Sequence, residues 1–114
     1  IGNLARNGGS YGEVTMSNGT WTNSDILVIG NAGQGNLNQT GGHITNTDGE
    51  IGYNASGFGV ATLSGGTWTN TGNLTIGRAG TGILSVLAGS TLDVDGRTIY
   101  LGRQGGSQGT LNFG

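Results

Sequence analysis

The sequence predicts an all-β fold, a right-handed parallel β-helix (solenoid) with about 25 residues per coil and three short strands in each. Three observations carry this expectation. An apolar residue followed by Gly recurs at Ile1-Gly2, Ile29-Gly30, Ile51-Gly52, Ile76-Gly77 and Leu101-Gly102, with starts 28, 22, 25 and 25 residues apart. A near-constant unit in this range marks a repeat architecture whose units cannot bury their apolar faces alone. The strand-like stretches inside each unit alternate apolar and small polar residues with period 2. Finally, 27 Gly and no Pro in 114 residues suit many tight corners joined to strands that need every backbone donor. The right hand follows from the general crossover rule for parallel strands.

Each element can be justified in turn by stacking the units. A first strand reads Val14-Thr15-Met16, Leu37-Asn38-Gln39, Ala61-Thr62-Leu63, Leu84-Ser85-Val86 and Leu111-Asn112-Phe113. The outer members point inward and the small polar middle points out. A corner of Gly, Asn and Ser follows, as at Ser17-Asn18-Gly19 and Ser64-Gly65-Gly66. A second strand reads Thr20-Trp21-Thr22, His43-Ile44-Thr45, Thr67-Trp68-Thr69 and Thr91-Leu92-Asp93, with its central residue inward. Asn23, Asn46 and Asn70 come next at one position, with Val94 as the exception, and predict a side-chain amide ladder along the stack. A third strand reads Leu27-Val28-Ile29, Leu74-Thr75-Ile76 and Ile99-Tyr100-Leu101. The second unit is two residues short here, with Gly49-Glu50-Ile51.

After the Gly that closes each unit comes its most variable segment, from Asn3 to Tyr11, Asn31 to Gln34, Tyr53 to Phe58, Arg78 to Thr81 and Arg103 to Gln108. The interior is expected to be a thin column running from Val14 and Met16 through Trp21, Leu27, Ile29, Leu63, Trp68, Leu74, Ile76, Val86, Leu92 and Ile99 to Leu101. Gln39 is a polar intruder in it and must bond to backbone or water. The units divide the chain at 1–28, 29–50, 51–75, 76–100 and 101–114, a single segment of four to five coils. Beginning mid-unit at Ile1 without Met, it reads as a piece of a longer protein.

Composition excludes several classes. Without Cys there is no disulfide or thiolate metal site. Lys is absent, four Arg are scattered along the chain and the net charge is -2, which argues against a nucleic-acid partner. No apolar run reaches the roughly 18 residues of a transmembrane helix. Gly does not recur at every third position, so collagen is excluded.

The run from Gly59 to Gly77, with Thr62-Leu63-Ser64-Gly65-Gly66-Thr67-Trp68-Thr69-Asn70 and the closing Leu74-Thr75-Ile76-Gly77, resembles the repeats of AIDA-like autotransporter passenger domains. The resemblance extends over almost the whole chain. It implies a right-handed β-helix displayed on a Gram-negative cell and anchored through an outer-membrane barrel. The roles it implies are adhesion, autoaggregation and biofilm formation, at an extracellular or cell-surface location. The outer-membrane barrel and the signal sequence of such proteins are not found in this chain.

Candidate chemistry is sparse. Parallel β-helices also carry polysaccharide-cleaving sites, which need clustered carboxylates or a base beside a cation. The best match is Asp93-Val94-Asp95 with Arg97 nearby, and a solvated corner explains it as well. No catalytic residue is therefore assigned, and the chain is read as a non-enzyme. The single His43 stands where other units carry Thr and lacks the partners of a metal site, so no metal or other cofactor is expected.

Binding candidates are Tyr53, Phe58, Arg78 and Arg103 in the variable segments, and Thr20, Thr22, His43, Thr45, Thr67 and Thr69 on the second strands. Tyr53 and Phe58 can anchor a glycan or a host or cell-surface protein, or pack down as a local lid. Outward Thr arrays are also the signature of ice binding, which ranks last because His43 and Asp93 interrupt the array. A self-stacking fibre subunit, joined through its exposed end strands, is a further alternative.

Overall fold

The structure, a computed structural model, describes residues 1–114. Every element is a strand. β1 (Gly2–Leu4) ends one coil. Full coils follow as β2 (Tyr11–Met16), β3 (Thr20–Thr22) and β4 (Leu27–Ile29), then β5 (Gln34–Gln39), β6 (His43–Asn46) and β7 (Gly49–Ile51). The third is β8 (Phe58–Leu63), β9 (Gly66–Asn70) and β10 (Leu74–Ile76), and the fourth is β11 (Thr81–Val86), β12 (Ser90–Asp93) and β13 (Ile99–Leu101). β14 (Gln108–Phe113) opens a fifth.

All pairings are parallel and join each strand to its equivalent one coil on. First strands form sheet 1 (β2-β5-β8-β11-β14), second strands sheet 2 (β3-β6-β9-β12) and third strands sheet 3 (β1-β4-β7-β10-β13). This is the expected β-solenoid with three strands per coil. The principal extents are 32 × 27 × 27 Å, so a segment of this length is nearly as broad as it is long, and a rod needs more coils.

The registers reproduce the sequence columns with one correction. Leu4, not Ile1, pairs with Ile29, and Gly2 pairs with Leu27. The first unit's closing mark is therefore Leu4-Ala5, which lies 25 residues before Ile29-Gly30 and removes the long first interval. Ala5 takes the left-handed φ of 60° that Gly30, Gly52, Gly77 and Gly102 take at the same corner. Because Ala carries a Cβ, this position was hidden from a search for apolar-Gly marks.

The core is a single cluster of aliphatic side chains around Trp68. Leu37, Ile44, Ile51, Ala61 and Leu84 are fully buried in it, beside most of the expected column. Leu101 is not: it is 51% exposed, because no third strand follows β13 in the stack to cover it. The short second coil changes the packing. Gly49 occupies the register position of Leu27 and Leu74. A Cβ there would lie 2.5 Å from Asn70 Oδ1, so the missing side chain makes room for an amide network. Trp68 Nε1 donates to Asn46 Oδ1 at 2.6 Å, and Asn46 Nδ2 donates to Asn70 Oδ1 at 2.6 Å and to the Asp48 carbonyl at 3.0 Å. The predicted ladder thus exists as one rung, Asn46 to Asn70. Asn23 sits in the same column without a rung, and its Nδ2 is buried and unpaired. Gln39 resolves as required: its Nε2 donates to the Gly42 and Thr67 carbonyls at 3.2 and 2.9 Å.

Two consequences can be measured. In Asn46→Ala the Trp68 N–H and the Asn70 carbonyl lose their partner inside the core, and an unpaired buried polar group costs about 1–3 kcal/mol. Chemical denaturation should show a loss of about that size or more. At Gly59 a Cβ would overlap the backbone carbonyl oxygen of Ile29, whereas at Gly105 it meets nothing within 4 Å. Gly59→Ala should cost at least about 2 kcal/mol, and Gly105→Ala should stay within about 0.5 kcal/mol of the parent.

Candidate functional site

With the first unit correctly registered, the segments between sheet 3 and sheet 1 follow a rule. Between the left-handed corner residue and the first-strand glycine lie residues 6–11, 31–34, 53–58, 78–81 and 103–108: six, four, six, four and six residues. Each six-residue loop contains a tight turn, closed by Ser10 N–H to Asn7, Gly57 N–H to Asn54 and Ser107 N–H to Gln104 carbonyls at 2.8–3.1 Å. The four-residue loops have no room for one. Long loops therefore rise on either side of each short loop, and two saddles result, one over 31–34 and one over 78–81.

Stacking at the corner sets side chains in columns. Backbone bonds from Asn31 to Ala5, Tyr53 to Gly30, Arg78 to Gly52 and Arg103 to Gly77 place Arg6, Asn31, Tyr53, Arg78 and Arg103 in one line. Three of the four arginines thus share one edge, and the apparent scatter of cations along the sequence disappears. Asn31 Nδ2 donates to Asn3 Oδ1 at 2.7 Å, and Asn54 Nδ2 donates to Asn31 Oδ1 at 2.6 Å, a second and exposed amide ladder.

The saddle over 78–81 is filled by its own residues. The Arg78 guanidinium lies 4.4 Å from the Tyr53 ring centroid, and that of Arg103 lies 4.5 Å from Tyr100. Such stacking is worth about 0.5–1 kcal/mol at exposed sites and holds the long side chains in place. Glu50 stands on the neighbouring outer face of sheet 3, in register with Val28 and Thr75. It is only 8% exposed, its Oε2 has no hydrogen-bond partner, and no guanidinium comes within ion-pair distance. Burial pushes its carboxyl above the ordinary value, and Arg78 and Arg103 oppose that from a distance.

The saddle over 31–34 is open on both sides. Toward sheet 3 there is a depression of about 450 Å³ with Ile26 and Val28 at its base, Asn3 and Asn31 beside them, and Arg6 and Tyr53 from the two long loops. Toward sheet 1 lies a second one of about 430 Å³, where Tyr11 (60% exposed) and Phe58 (38% exposed) flank Gln34.

The expected residues are thus partly gathered and partly separated. Tyr53 packs down beneath Arg78, while Phe58 stays out on the other side of the loop, so the two aromatics do not share one surface. Arg78 and Arg103 join Tyr53 at the corner. Thr20, Thr22, His43, Thr45, Thr67 and Thr69 form a separate outward face on sheet 2, in rows Thr20-His43-Thr67 and Thr22-Thr45-Thr69. Arg6 and Tyr11 complete the corner, and sequence reasoning left Arg6 out because the first unit was placed three residues early. Asp93 uses its carboxylate to accept the Asp95 N–H at 2.8 Å, and Asp95 adopts a left-handed φ of 51°, so this pair builds a turn. No three His, Asp or Glu side chains converge as metal ligands, and no helix is long and apolar enough to cross a membrane. The chain matches no family model, no curated protein and no solved structure.

Glu50 supplies a pH test. A carboxyl whose pKa is raised by folding binds its proton more tightly in the native state, so its contribution favours folding below the ordinary glutamate range and is lost as pH rises through the folded value. Glu50→Gln should therefore raise the melting temperature at neutral pH. It should also flatten the fall in stability expected for the parent as pH rises above the ordinary glutamate range.

Proposed function

We propose that this chain is a structural and adhesive β-solenoid segment of a bacterial cell-surface or secreted protein. The observation that carries this reading is the corner. Alternating loops raise a row of aromatic, amide and guanidinium groups on a framework that in-register backbone ladders hold rigid. Rigid scaffolds with variable loops along one edge suit recognition, and weak contacts repeated over many coils or many copies add through multivalency. The sequence resemblance to AIDA-like passenger repeats supports the surface location and the roles in adhesion, autoaggregation and biofilm formation. A polysaccharide-cleaving enzyme is the weaker reading, because its best carboxylate pair is committed to a turn.

Retention of the purified segment on immobilised glycans and extracellular-matrix proteins tests the proposal. Saturable binding to at least one of them is the expected result. A folded sample retained by none would make the segment a spacer between recognition elements.

A further inference from the structure

Resting on that adhesive reading, we infer that the open saddle over residues 31–34 binds an acidic polysaccharide, with a hexuronic acid seated between Arg6 and Tyr53.

The chemistry of the saddle selects this class. Its lining on the sheet 3 side is apolar, from the half-buried Ile26 with Ile1 beside it and the nearly covered Val28 beneath, which suits the C–H faces of a pyranose ring. Tyr53 adds an aromatic surface. Arg78 lies over one face of that ring, at 4.4 Å from the centroid, and fixes it in place, while Tyr53 also lines the depression. Asn3 and Asn31 present amides that pair hydroxyl groups in either direction. Arg6 is the guanidinium that lines the depression. Within residues 1–114 it makes no ion pair and no aromatic stack, in contrast to Arg78 and Arg103, which are stacked on tyrosines. A guanidinium is a planar fork that takes a carboxylate through two parallel bonds. Asp25, adjacent to Ile26, does not line the depression, and its Oδ1 accepts the Ile26 N–H at 2.9 Å.

A polymer fits better than a single sugar because the saddle is open at both ends. A chain leaving the Arg6–Tyr53 depression over the short loop arrives between Tyr11 and Phe58, with Gln34 between them. Exposed aromatic residues beside a polar amide provide a second sugar platform of the same kind. The two long loops guide the chain across the corner rather than along the solenoid axis.

The test uses matched ligands. Oligogalacturonate, oligomannuronate and glucuronate-containing oligosaccharides are titrated into the folded chain, each beside its methyl ester, which keeps the ring and removes the charge. At least one acid form should bind about tenfold or more tightly than its ester, and added salt should narrow the difference. Arg6→Gln should weaken the acid about tenfold and leave the ester unchanged. Tyr53→Ala should weaken both, and Tyr53→Phe, which keeps the ring, should restore them. Thr91→Ala, exposed on sheet 2 away from the saddle, should change nothing.

Equal binding of acid and ester, or acid binding that survives Arg6→Gln, would overturn the inference. So would failure of all the uronates. If neutral glycans or a matrix protein then still retain the segment, the adhesive reading stands without this site. If nothing is retained, both fall.

Discussion

Close approach of backbone to backbone at the corner between sheets 3 and 1 is the constraint on which the rest of this structure depends. Gly59, Gly82 and Gly109 on the first strands face the carbonyl oxygens of Ile29, Ile51 and Ile76, and a Cβ at any of them would overlap those oxygens. Gly30, Gly52 and Gly77 on the other side hold left-handed φ values with backbone equally near. Two glycine columns therefore let the chain turn sharply where one coil becomes the next. With the corner fixed, every strand pairs in register with its equivalent, and Leu, Ile and Trp at matching positions close into one column.

The same constraint produces the candidate site. A left-handed residue on one flank (Ala5 in the first unit, Gly in the others) and a first-strand Gly on the other pin the two ends of every corner loop, so a change of loop length must be absorbed outward. Six-residue loops absorb it with a turn and four-residue loops stay low. In-register stacking then lines up residues that lie far apart in sequence, which is how Arg6 and Tyr53 come to face one depression across Asn31. The polar cluster is a product of the ladder rather than of any local motif.

Much of this was legible from the sequence. Period-2 alternation and the apolar-Gly marks gave the strands, their columns and the short second coil, because each coil obeys the same steric rule. Gln39 was flagged for the bond it makes. What escaped has physical reasons. Ala5 adopts a backbone conformation that Gly normally signals, so the first unit was misregistered and the alternation of loop lengths was masked. The Asn46–Trp68 bond depends on space left by Gly49, which is a property of neighbouring coils and not of one unit. The Arg edge could not be read from composition, since only the register turns scattered cations into a line.

The two saddles differ in a way that bears on function. Both have the same loop lengths and the same left-handed corner, so the backbone treats them alike. The difference lies in the short loop's first residue. Arg78 is long enough to reach back over Tyr53, and Arg103 in turn lies over Tyr100, so the guanidinium and ring stack along the edge of that saddle. Asn31 is short and bonds to its neighbours in the column, and a depression lined by Ile26, Asn3, Arg6 and Tyr53 remains beside it. A single side-chain length at one register position thus decides whether a saddle is filled by the protein or left for a ligand. Along a longer solenoid, the same position would set where binding corners occur and where the edge is sealed.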